Sequence, residues 1–137
     1  MNPLILISPG MAAGLAICLI LRFYWARCAA RSNSGVWREP GARNEIYYVS
    51  AHAALGGGIG LLFWLSWGFT ALVQLSWWQR GIIFGLANAI VFSALPLLIS
   101  QSLLRSAQPL SRMILVESIS TCIAASLACS WTWSHTL

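Results

Sequence analysis

Charge is scarce in this chain. Only 8% of its 137 residues are charged, three of them acidic, and every basic side chain is an arginine. A soluble domain carries roughly 25% charged residues, so a water-exposed surface around a buried core is excluded. Alternation of polar and apolar residues is missing as well, which excludes a transmembrane β-barrel. No basic segment precedes the first apolar run, and the arginines follow it; that is the reverse of a secretory signal, so the run reads as a retained helix. Cys18, Cys28, Cys122 and Cys129 have no CxxC spacing and no histidine near them in sequence, which leaves no metal site and makes them small packing residues. No phosphate-loop, hydrolase or metal signature occurs.

What the chain does have is apolar length. It is 58% hydrophobic, with a mean hydropathy of +0.74. Four runs predict membrane spans at about 4–25, 46–71, 81–102 and 113–133. Each approaches or exceeds the ~20 residues a helix needs to cross ~30 Å of hydrocarbon. The expected fold is an all-α integral membrane four-helix bundle, one transmembrane domain over 1–137, antiparallel and up-down. The connector 27–45 is the only long one, and its Trp37–Arg38 pair suits a segment lying on headgroups.

The arginines set the expected orientation. Arg22, Arg27, Arg31, Arg38 and Arg43 flank or lie in the first connector, and Arg105 and Arg112 flank the third. Only Arg80 belongs to the second. The positive-inside rule then places the first and third connectors in the cytoplasm and both termini on the other side. Trp67, Trp77, Trp78, Trp131 and Trp133 fall at the outer ends as interface anchors, and Trp25 and Trp37 fall on the inner side. The net charge of +5 is explained by anionic headgroups, so nucleic acid is not an expected partner.

Every span carries a small residue at each fourth position: Gly10, Gly14 and Cys18; Gly56 and Gly60; Gly81, Gly85, Ala89 and Ser93; Ser118, Cys122, Ser126 and Ser130. Period four keeps each set on one helix face, and small faces let membrane helices approach closely. The Gly56/Gly60 stripe could also serve as a dimer face. The three glycines Gly56–Gly58 leave room for a bulky neighbour: an aromatic side chain, a lipid tail or a cofactor ring.

Glu117 is the residue that needs explaining, because a carboxylate at membrane depth is costly and is kept for packing, partner binding or chemistry. Counting ~1.5 Å of rise per residue from the span ends, His52, Glu117, Arg22 and Pro96 fall at a similar depth in the inner third. Pro96 would also release the carbonyl of Phe92 into this layer. Glu117 is expected to pair with His52, Arg22 or both, and Asn88 and Ser93 could extend a polar path outward. His52 and His135 lie near opposite faces, so they cannot share one haem iron, and no cofactor is expected.

These residues leave three functions open. The first is a non-catalytic accessory or assembly subunit, or a homo-oligomer, in a bacterial inner membrane or an equivalent one; its partners are lipids and another membrane protein or its own copies. The second is a small proton-coupled transporter or channel using Glu117 and His52. The third is a small membrane enzyme acting on lipid or thiol substrates. Small multidrug-type exporters share the size and helix count, but they use a carboxylate in the middle of the first helix, where this chain has none.

Overall fold

The computed structural model describes residues 2–31, 42–66, 74–94 and 108–136, and all its regular structure is helical. Helix α1 spans Leu4–Arg31, α2 Ala42–Leu65, α3 Trp77–Ala89 and α4 Gln108–Thr136. Three stretches are long and apolar enough to cross a membrane: Leu4–Cys28, Glu45–Leu65 and Leu115–Thr136. Helix α3 runs on into a π-helical turn, Ile90–Ala94. Pro96 and Trp67 lie outside the described residues, as does connector 32–41 with Trp37.

Local chemistry explains the helix starts. The side-chain oxygen of Asn2 accepts the amide of Leu4 at 3.0 Å, with Pro3 between them; an Asn cap followed by proline is a strong helix start, since proline's missing N–H would have had no partner there anyway. At α3, Gln79 Oε1 accepts from both the amide and the hydroxyl of Ser76, at 3.2 and 2.8 Å. This places the start of α3 four residues before the expected 81, because hydropathy cannot see that polar Gln79 and Arg80 form a first turn. α1 likewise continues past 25 to Arg31, and α2 begins at Ala42, so helix replaces both ends of the expected connector.

Glycine decides how the helices meet. A Cβ on Gly10 would strike the carbonyl of Gly56, one on Gly14 the carbonyl of His52, and one on Gly60 the carbonyl of Leu6. Residue numbers rise on α1 as they fall on α2, so the two helices pass in opposite directions with backbones in direct contact. Gly81 and Gly85 do the same for α3 against α4: a Cβ would lie 2.9 Å from Leu127 Cα and 2.8 Å from Ile123 Cα respectively. The Gly56/Gly60 face is therefore occupied by α1 of the same chain, and a dimer would have to use another surface. Of the three consecutive glycines, Gly56 receives Gly10, Gly57 receives the Met11 side chain, and a Cβ on Gly58 would meet nothing within 4 Å.

The common core contains Leu6 of α1, Ile59 and Phe63 of α2, Phe84 and Ala89 of α3, and Cys122, Ala125 and Cys129 of α4. Phe63 meets Phe84 edge-on with ring centres 5.0 Å apart, and Trp133 at 6.1 Å. Trp133 therefore packs inward, whereas Trp77, Trp78 and Trp131 are exposed. Cys122 and Ser126 are buried along α4, while Ser118 is only half-buried. Two polar groups of the core bond between helices: the Cys129 thiol to the Leu6 carbonyl at 3.3 Å, and the Ser130 hydroxyl to the Trp77 carbonyl at 2.7 Å. The outer surface is apolar, with Leu4, Leu19, Ile20, Phe23, Ile46 and Ile90 all at least 59% exposed.

Candidate functional site

Three helices converge on one carboxylate. Glu117, on α4, receives the indole N–H of Trp25 from α1 on Oε1 at 2.5 Å. The same oxygen accepts the Tyr48 hydroxyl from α2 at 2.6 Å. His52 Nε2, also from α2, lies 2.5 Å from Oε2. The side chains of His52 and Glu117 are 7% and 16% exposed, so the group is largely withdrawn from its surroundings. Tyr48 and His52 are four residues apart, which puts both on one face of α2, and their rings meet edge-on at 4.5 Å.

The second ring nitrogen determines the proton count. His52 Nδ1 lies 2.9 Å from the carbonyl oxygen of Tyr48. A carbonyl only accepts, so Nδ1 must carry a proton. A second proton lies between Nε2 and Oε2, on whichever side. The pair thus holds two protons in either form, neutral acid with neutral imidazole or carboxylate with imidazolium. Both forms carry no net charge. This is how a carboxyl group can be buried in a helix long and apolar enough to cross a membrane without the full cost of an isolated ion.

Arg22 does not reach Glu117; it forms an ion pair with Glu45 at the start of α2. Both partners of that pair are partly exposed, with side chains 44% and 33% accessible. Asn88 donates to the Phe84 carbonyl at 2.8 Å and Ser93 to that of Ala89. Both therefore spend their hydrogen bonds on their own helix, and the expected polar path outward is not built from them.

Trp25 and Tyr48 are members of this site that sequence reasoning missed. Aromatic residues beside arginines read as interface anchors. The available signal was the spacing: Tyr48 precedes His52 by one turn, and Trp25 follows Arg22 by three residues toward the same end of α1.

Beside the network runs a groove of about 270 Å³ between α2 and α4. The groove is lined by Tyr48, Ala51, His52 and Leu55 of α2 and by Met113, Glu117, Ser118 and Thr121 of α4. The Thr121 hydroxyl is fully buried and has no hydrogen-bond partner among the described residues. Buried hydroxyls are rarely left so. Among the described residues no group of three or more His, Cys, Asp or Glu side chains could hold a metal ion. No protein-family model, curated protein or solved structure matches the chain.

Proposed function

We propose that the chain is a multi-pass membrane protein of four helices, antiparallel and up-down, with both termini on the non-cytoplasmic side, and that it works as a non-catalytic accessory or assembly subunit or as a homo-oligomer. Three apolar helices of spanning length support the membrane reading. The arginine bias of the first and third connectors supports the orientation. The observation that carries the functional reading is the use made of Glu117. Its Oε1 accepts from Trp25 and Tyr48 and its Oε2 shares a proton with His52, so the most costly side chain in the protein ties α1 and α2 to α4. A carboxyl group committed to three partners joins helices.

The test is purification of the tagged chain in mild detergent, with mass spectrometry of what accompanies it. A stoichiometric membrane protein, or a defined oligomer of the chain, is the expected result. A chain that runs as a lone monomer at all detergent concentrations removes the proposal.

A second reading, proton-coupled transport, is supported by the groove that opens beside His52 and Glu117. Proteoliposomes loaded with a pH-sensitive dye should then show proton flux that Glu117→Gln abolishes. Equal flux in the two proteins, or none in either, rejects it.

A further inference from the structure

We infer that the groove between α2 and α4 is a binding site for an uncharged lipid whose small head carries a hydroxyl group. The inference requires that the chain lies in a membrane, but it does not depend on whether the protein is an accessory subunit.

The argument starts from the hydrogen-bonding capacity left over. Oε1 of Glu117 already accepts two donors, from Trp25 and Tyr48, while Oε2 faces His52 alone. A carboxylate has about four lone-pair positions, so roughly one remains, on Oε2. One turn further along the same face, Thr121 is a fully buried groove residue whose hydroxyl has no partner among the described residues and can both donate and accept. The site therefore offers a place for one incoming donor and one incoming acceptor. A hydroxyl group supplies both from a single atom.

Charge narrows the class further. The His52–Glu117 pair is neutral whichever atom holds the shared proton, so it offers no net charge to attract an ion. A phosphate or carboxylate head would be set against Glu117, and none of the described groove residues is a Lys or Arg that could meet it. An ammonium head would lose its water for a single remaining lone pair. Taking a charge out of water without a partner is far more costly than taking out a hydroxyl.

The groove also fits by size and setting. A volume of about 270 Å³ lies just below the ~300–1,000 Å³ of ordinary small-molecule pockets, which suits a small head and the first carbons of a tail. Ala51, Leu55 and Met113 provide the apolar contact. Its α2 residues all lie in the spanning stretch Glu45–Leu65, and Glu117, Ser118 and Thr121 lie in Leu115–Thr136. A ligand dissolved in the bilayer reaches such a groove sideways, keeping its tail in lipid.

The test uses the full chain in detergent and native mass spectrometry with four probes: geranylgeraniol, its methyl ether, geranylgeranyl phosphate and decylubiquinol. Geranylgeraniol or decylubiquinol should bind one per chain, and the better of the two separates a simple alcohol from a ring-borne hydroxyl as the natural head. The methyl ether, which cannot donate, should bind at least tenfold more weakly than the alcohol. Ala51→Trp fills the groove from an exposed position and leaves the network intact; it should weaken the alcohol at least tenfold, as should Thr121→Val. Equal binding of alcohol and ether, preference for the phosphate, undiminished binding to a normally folded Ala51→Trp protein, or failure of both hydroxyl probes to bind would each overturn the inference.

Discussion

Glu117→Leu is expected to cost the protein on the order of 3–5 kcal/mol of stability, the range for removing one partner of a buried ionic pair. Leucine matches the size of the side chain but accepts nothing. Trp25 Nε1, Tyr48 Oη and His52 Nε2 would all lose their hydrogen-bond partner at once. Hydrogen bonds between membrane helices average only ~0.6 kcal/mol, so three lost bonds alone come to about 2 kcal/mol. The remainder comes from leaving donors buried and unpaired, at about 1–3 kcal/mol for such a group. Against a total stability of about 5–15 kcal/mol, the variant should lose most of its folded population on gentle heating. Glu117→Gln separates shape from chemistry. Its amide oxygen can still accept from Trp25 and Tyr48, and its NH₂ can donate to His52 Nε2, because Nδ1 holds the imidazole's single proton against the Tyr48 carbonyl. The Gln variant should therefore lie within about 1 kcal/mol of the parent. Melting followed by size-exclusion chromatography in dodecyl maltoside checks both. If Leu and Gln lower the melting point equally, or Leu does nothing, the network is not what holds α4 to α1 and α2.

The same network shows what the sequence could reveal. Glu117 and His52 stand out because an ionisable side chain in an apolar run has no ordinary reason to be there. Counting residues from the span ends is enough to place them at one depth. Depth alone does not give azimuth, so it groups Arg22 with them although the arginine turns to Glu45. Trp25 and Tyr48 were hidden by their chemistry: an amphipathic ring near arginines has two good homes, the headgroup region and a buried acceptor, and composition cannot choose. The small-residue stripes were legible as faces, but their partners were not. Gly56 and Gly60 can meet a second copy or α1, and only the three-dimensional pairing with Gly10 and Leu6 decides. The π turn at Ile90–Ala94 cannot be read from hydropathy, because hydropathy carries no hydrogen-bond register.

Gly56→Leu should prevent accumulation of the folded protein, and Gly56→Ala should lower its stability by at least the 1–3 kcal/mol typical of overpacking. A Cβ at Gly56 meets the carbonyl of Gly10 and lies 3.2 Å from the Cα of Gly14. These are backbone atoms, which cannot rotate away as a side chain would. The opposing helix has to move as a body, and α1 is held at both ends: Leu6 by the Cys129 thiol, and Trp25 by Glu117. Separation at Gly56 also opens the contacts of Gly14 with His52 and of Gly60 with Leu6, so the cost is shared along the whole seam. Gly58→Ala is the internal control. It lies two residues away on the same helix, with nothing within 4 Å of the new Cβ. Both alanines bring the same gain in helix propensity, up to about 1 kcal/mol, so the difference between them isolates the contact. Gly58→Ala should be neutral or stabilising and Gly56→Ala destabilising in the same detergent melt. Were the two alanine variants to melt together, α1 and α2 would not be joined through these glycines, and the approach that brings Trp25 to Glu117 would lose its physical basis.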